Sequence, residues 1–428
     1  MRDPYTGTQR KSCFEGTRLQ LLNQIQTWIS NSQDRSICVL DGVAGIGKST
    51  VAKTAAELAA VDGTLGASFF FLRDEDKRKT VKSFFLTLAY YLSCRYPQLA
   101  VHINKTLARD PGVTEHVLSE QFNCLIAEPL QTSLGGEKPI LLVIDALDEC
   151  DEDNAMTILS LFARCVSRIP RLRIFVTARP EQHIETTPAQ RHLYKLFHLH
   201  DIDNSVVEAD IRLYINARLS KEQVQQALPR LPSPIWEPTP QQKDILVGTA
   251  GKLFMIAATT VDFILDRNRM NPAHQLVILL HGISPTDFLG AKHNTAMDPV
   301  YVKIIRAAAQ NHQDGDWVRH FHACVGTIVL LRDPLPYDSL AVLTGRSTEE
   351  VIRTLSNLHS LLAPCGDAFR IHHKSFLDFI SDPDRCKDVP EFRIDLKAHH
   401  LRIAKRCLRI MNDSLRQNFC NLKSDDGL

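Results

Sequence analysis

The run Gly42-Val43-Ala44-Gly45-Ile46-Gly47-Lys48-Ser49 fits the pattern GxxxxGK[ST]. Its glycines let a backbone curl until successive amides face one anion, and the positive end of a following helix adds to the attraction. Lys48 is then placed to bridge the β- and γ-phosphates of a nucleotide and Ser49 to ligate Mg²⁺, with Thr50 beside them. A glycine-rich turn that merely links strand to helix is the plain alternative. The full match, after an apolar run and before an Ala-rich helical pattern, favours the phosphate reading.

About one hundred residues later, Ile140-Leu141-Leu142-Val143-Ile144-Asp145 reads as an apolar strand ending in a carboxylate, the expected partner of such a loop. Asp145 would hold Mg²⁺ through water. Ala146 follows it, so no base is adjacent; Asp148 or Glu149 is left to orient an attacking water, and slow turnover is expected. A solvated helix start is the plain alternative for this acidic run, more so for Asp151, Glu152 and Asp153 than for Asp148 and Glu149. A further strand, Leu172–Thr177, leads into Ala178-Arg179-Pro180, which would set Arg179 at the sheet end to sense a γ-phosphate. Taken alone, a surface arginine is more often solvated. The order of the three motifs is what lifts it.

These residues need a sheet to position them. Apolar runs at Ser36–Leu40, Ala67–Leu72, Pro139–Ile144, Leu172–Thr177 and Tyr194–Leu199 alternate with helical patterns. Such alternation predicts α/β architecture, a mostly parallel sheet with helices on both faces and sites at the carboxyl ends of the strands. Leu19, Leu22, Ile25 and Ile29 recur at helical spacing before it. Alternation stops at Pro229, Pro232, Pro234, Pro238 and Pro240, where a hinge is expected. Beyond it, Leu246, Ala250, Leu253, Ala257, Val261 and Ile264 keep one face of an all-helical stretch apolar. Near Asp316 a helix carries Val318, Phe321, Val325, Ile328 and Val329, and the capping-box sequence Ser347-Thr348-Glu349-Glu350 opens another. Leu361–Ala363 and Phe369–Ile371, joined through Gly366-Asp367, predict a hairpin, and helix plus hairpin suggests a winged helix. The stretch Asp395–Leu422 reads as helical. The expected segments are therefore 1–35 (linker and amphipathic helix), 36–228 (nucleotide-binding α/β domain), 229–313 (helical), 314–390 (winged helix) and 391–428 (start of a further helical region).

Composition narrows the class. Lys plus Arg (50) nearly cancels Asp plus Glu (49), so no global field draws the chain to nucleic acid or an anionic membrane. The 11 cysteines contain no CxxC pair, which reads as reduced thiols and a cytoplasmic location. No signal peptide and no membrane-spanning run is visible. His320, His322 and Cys324 invite a zinc reading, but i and i+2 on one helix point apart.

In order and spacing, GVAGIGKST, LLVIDALDECDE and IFVTARP resemble the NACHT family of STAND-class signal-transduction ATPases, its fungal members most. CFEGTRLQLLNQIQTWI is similar to the segment before the P-loop in those proteins and in the N-terminal region of nephrocystin-3-like proteins. The small residue after Asp145 and the displaced acidic pair are hallmarks of that family. By the same resemblance, Gly251-Lys252-Leu253-Phe254 looks like the helical-domain motif that lies against adenine. FRIHHKSFLDF looks like the winged-helix segment whose histidine touches the β-phosphate, with the HxSF pattern nominating His373 over His372; a capping or core histidine is the plain alternative. The resemblance implies a two-state switch that binds ATP or ADP with Mg²⁺, self-associates on triphosphate, and serves innate-immunity-like or self/non-self signalling. It also implies effector and sensor partners that are not visible here, so the chain reads as a fragment, a truncated product or a receptor lacking both ends. No NKxD-type motif follows the loop, which favours ATP while leaving GTP open. Two rivals remain. A small-molecule kinase shares the loop but leaves some 230 downstream residues without a task. A DNA-binding winged-helix ATPase is countered by the Thr-Glu-Glu start of the helix after Ser347.

Overall fold

Short aliphatic runs with no polar alternation are suited to strands buried on both faces, and runs of this kind supply the centre of a five-stranded parallel sheet. A computed structural model of the 428-residue chain describes residues 11–71, 77–133, 138–179, 193–232, 234–281, 295–310, 316–331 and 333–415. Within it the chain divides into two compact units, Met1–Ala217 with Ala250–Ala257, and Arg218–Thr249 with Ala258–Leu428.

The first unit is the expected α/β layer structure. Its strands are β1 (Ile37–Asp41), β2 (Leu65–Phe70), β3 (Ile140–Asp145), β4 (Leu172–Ala178) and β5 (Tyr194–His198), in the order β2-β3-β4-β1-β5. Every residue of β3 and β4 is buried. In β5 only Tyr194 is, as suits an edge strand. Because β4 lies between β1 and β3, the turns that leave all three emerge side by side at one sheet edge. Leu72 and Pro180, which fall in expected motifs, lie outside the described residues.

The helix Lys48–Asp62 buries Val51, Ala52, Ala55, Ala56 and Ala59, small side chains that let it lie close on the sheet. The helix Leu19–Ser30 buries Leu22, Ile25 and Ile29 as its spacing predicts. Leu19, however, is exposed, and Leu21 and Trp28 take the inner face, with Trp28 Nε1 donating to Arg35 O at 2.6 Å. On the opposite side, Phe69, Phe71, Phe84, Phe85, Phe122 and Phe162 form one aromatic cluster with centroid separations of 4.8–6.3 Å.

In the second unit the apolar helical pattern beyond the prolines resolves into Pro240–Ala250, Phe254–Ile264, Pro272–Leu280 and Asp298–Gln310. Gly251, at φ 55°, breaks it by turning left-handed, so Phe254 starts a new helix. The residues Ala250–Ala257 at that break belong to the first unit. Then come the helices Asp316–Ile328, Tyr337–Thr344 and Thr348–Ser356 and the antiparallel strands β6 (Leu362–Cys365) and β7 (Ala368–Ile371), with Pro336 bridged to Ala368. Both bonds of the capping box at Ser347 and Glu350 are made. His320 Nε2 faces Glu350 at 3.5 Å and His322 Nε2 faces Glu391 O at 2.7 Å, so the two rings diverge as expected of i and i+2. The helices Lys374–Ser381 and Leu396–Ser414 close the unit; of the expected helix to Leu422, residues 416–422 lie outside the description. No described helix is long and apolar enough to cross a membrane.

Candidate functional site

β1 ends in Asp41, and the chain turns at once through Gly42 to Gly47 into the helix that Lys48 opens. Gly45 and Gly47 sit at φ 81° and 108°, a region that L side chains rarely adopt. A Cβ on Gly45 would also come within 2.8 Å of Met255 Cε, whereas one on Gly47 would meet no described atom within 4 Å. Backbone conformation alone therefore demands glycine at Gly47. Ile46 is buried, and Val43, Ala44, Ser49 and Thr50 are half-buried, the last two in the first helical turn.

Lys48 Nζ donates to the carbonyls of Gly42 and Val43. Burial holds its pKa below the usual lysine value, against the upward pull of Asp148 and, more weakly, Asp145 and Asp41. The ends of β1, β3 and β4 thus bring Lys48, Asp145, Asp148 and Arg179 into one electrostatic group.

Asp145 is fully buried, and its Oδ1 accepts from Thr177 Oγ1 at 2.5 Å. The same hydroxyl oxygen accepts the Ala146 N–H at 2.8 Å. Thr177 therefore clamps the acidic strand end from the strand beside it. Ala146 turns at φ 57° and ψ 47°, a left-handed conformation that a β-branched residue would resist. This sends the chain into the short turn Leu147–Glu149 and sets Asp148 against Arg179, Oδ2 to Nε at 2.9 Å. Burial pushes the Asp148 carboxyl up, while Arg179 and then Lys48 pull it back. Of the two candidate bases, Asp148 is thus committed to Arg179; Glu149 lies half-buried on the same turn.

No local motif marks Arg18. It is 5% exposed at φ 58°, its backbone N–H donates to Asp210 Oδ2 at 3.0 Å, and its Nη2 donates to Ile46 O at 3.1 Å. The guanidinium lies 4.9 Å from the centroid of Phe254, whose ring also meets Tyr214 edge-on at 6.4 Å. Met255 N–H donates to Gly45 O at 3.2 Å, and Lys252 Nζ donates to His200 O at 2.9 Å. The segment that carries Phe254 is thereby tied to the phosphate loop.

His373 belongs to the second unit. It caps the helix Lys374–Ser381, with Nδ1 accepting the Ser375 N–H at 3.1 Å and lying 2.8 Å from Ser375 Oγ, itself 2.6 Å from Tyr301 Oη. That is the capping role which was the plain alternative for this residue.

Sheet order, loop and acidic strand together define a P-loop NTPase domain. Residues 16–179 match the family model for the N-terminal region of nephrocystin 3, the type that the motifs had implied. Among solved structures, similarity extends to a STAND protein with a tetratricopeptide repeat sensor from Pyrococcus horikoshii (14% identity, TM-score 0.44, 96% of this chain and 51% of that one). It extends also to Cdc6p from Pyrobaculum aerophilum (13%, TM-score 0.36, 97% and 99%) and to AMPPCP-bound DnaA from Aquifex aeolicus (11%, TM-score 0.34, 81% and 89%). The chain spans about half the length of the first of these, 51%. None of the curated proteins matches the sequence.

Proposed function

We propose that the chain is a nucleotide-dependent switch that binds ATP or ADP at the P-loop and self-associates when triphosphate replaces diphosphate. The observation that carries this reading is the hydrogen-bonded contact of the Phe254–Met255 segment with Gly45, which couples a helix outside the sheet to the loop that would grip phosphate. A ligand shifts a conformational equilibrium only through different contacts in the two states, and this segment supplies a contact that a nucleotide would alter.

The amides of Gly45, Gly47 and Lys48 would cradle phosphate oxygens, and Lys48 would exchange its loop carbonyls for the β- and γ-phosphates. Phe254 would flank the base. Ser49 and Asp145 would hold Mg²⁺: a fully buried carboxylate met by a neutral hydroxyl, beside a serine, is a set of hard oxygens suited to that ion. When bound, the ion neutralises charge that develops on the phosphates. Glu149 would orient water slowly, and Arg179 would respond to a γ-phosphate by dividing its charge between it and Asp148. His373 would contact the β-phosphate through the winged helix formed by the three helices and the β6–β7 hairpin. The setting expected from the NACHT resemblance is cytoplasmic, immune-like or self/non-self signalling.

The test is to purify the full chain without added nucleotide, denature it, identify what is released, and compare its oligomeric state with ADP and with a non-hydrolysable triphosphate. Stoichiometric ADP released from a monomer that assembles on triphosphate is the expected result. Lys48→Ala should lose bound nucleotide and remain monomeric. An empty wild-type protein indifferent to nucleotide, or a Lys48→Ala variant that still assembles on triphosphate, overturns the reading.

A further inference from the structure

Asp41 and His198 are register partners on the parallel strands β1 and β5, so their side chains leave the sheet on the same face. His198 Nδ1 lies 2.7 Å from Asp41 Oδ1 and 2.8 Å from Oδ2. Two residues on, in the turn Leu199–Asp201, His200 comes back to that face. Its Nδ1 is 3.9 Å from Asp41 Oδ1 and its ring centroid 5.3 Å from that of His198. One ligand atom from each of the three residues lies within 4.8 Å of the other two. A tetrahedral Zn²⁺ with bonds of about 2.0–2.1 Å separates its ligand atoms by about 3.3 Å, so small side-chain rotations would bring the set to that spacing.

We propose that Asp41, His198 and His200 form a binding site for a divalent transition-metal ion, Zn²⁺ or another of the same nitrogen and oxygen preference, at the root of the P-loop. Two imidazole nitrogens and one carboxylate oxygen are a donor set that a single dication of this class can take together. The surroundings suit that role. His200 Nε2 lies 3.6 Å from Asp201 Oδ1, so a carboxylate stands on the far side of the ring, just outside hydrogen-bond range. Lys252 donates to His200 O at 2.9 Å and Ile202 O at 3.3 Å, which holds the turn in place. The Asp41, His198 and His200 side chains are 15%, 36% and 41% exposed, so an ion can reach them from solvent. Three protein ligands leave coordination open to water. A bound ion would pin the edge strand β5 to β1 one residue before Gly42 and so stiffen the start of the loop. The site rests on its own geometry and holds whether or not the loop binds nucleotide.

The experiment uses the full chain, stripped with a chelator and titrated with Co²⁺, whose visible spectrum reports its ligands, then with Zn²⁺ in competition. The chain has 11 cysteines, so a thiolate charge-transfer band would betray binding elsewhere. One equivalent of Co²⁺ with no such band, displaced by one equivalent of Zn²⁺, is expected. Affinity should fall at least about tenfold in His200→Ala, a substitution on an exposed turn, and further in the variant that also carries His198→Ala. Binding within twofold of wild type in both variants, a cobalt spectrum dominated by thiolate, or no binding up to about 100 µM metal overturns the proposal.

Discussion

Thr177 makes two hydrogen bonds that join β4 to the end of β3, one to the buried Asp145 carboxylate and one from the Ala146 amide. Valine has nearly the same shape without the hydroxyl, so Thr177→Val leaves a buried carboxylate and a buried amide each short of a partner. Removing one side of such a bond costs about 1–3 kcal/mol, more when the orphan is charged. Thr177→Val should therefore lower stability by about 2–4 kcal/mol, measured by urea denaturation, while Thr177→Ser retains most of it. A Thr177→Val variant as stable as wild type would mean that the clamp contributes nothing. The placement of Lys48, Ser49, Asp145 and Arg179 at or after the ends of their strands was legible because each sits at a fixed offset within a local pattern. Thr177 and Arg18 were not, because their partners lie 32 and 28 positions away and no local spacing records them. The TAR sequence did show a polar residue closing an apolar strand, which was the available signal for Thr177.

At the scale of elements, all five sheet strands fell where apolar runs predicted them, within two residues at each described end; for the central strands β3 and β4 the reason is that a strand buried on both faces needs little but continuous hydrophobicity. Helix packing was less legible. The helix Asp316–Ile328 shows why: Gly326 lies in it with no turn to justify a glycine. The reason lies across the fold, where a Cβ at Gly326 would come within 2.6 Å of His399 Cε1 and 2.9 Å of both ring nitrogens. In an open helix Gly→Ala gains up to about 1 kcal/mol. Here the buried ring, with Nε2 3.3 Å from Thr327 Oγ1, has to move, and overpacking of that kind costs about 1–3 kcal/mol. Gly326→Ala should thus destabilise the protein. Adding His399→Ala should abolish the penalty of the first change, and a double-mutant cycle with no coupling would refute the steric account.

For the molecule as a whole, acid should act through histidines buried in neutral form, since those of the second unit share one direction of shift. Burial lowers the pKa of His320 and His359 below the usual 6.5 and that of His399 to about 4, with Arg402, His322 and His400 adding to the effect on His399. A folded-state pKa below the unfolded one means that the unfolded chain binds the proton first. Stability from these groups is then fully present above about pH 6.5 and is lost as pH falls from there towards about 4. For His399 alone the loss between pH 7.5 and 5 comes to about 2 kcal/mol. Asp266 and Asp298, whose carboxyls burial pushes up, act in the opposite sense when they protonate, so the total slope mixes both signs. The difference between wild type and His399→Gln isolates the histidine. Urea denaturation at the two pH values should show the variant losing about 2 kcal/mol less than wild type. Hydrogen exchange, corrected for intrinsic rates, should place the wild-type loss in the helices Asp316–Ile328 and Leu396–Ser414, where His399 is held, before the parallel sheet. Equal losses in wild type and variant would show that the ring is not kept neutral by its burial and would remove His399 as the origin of the acid sensitivity.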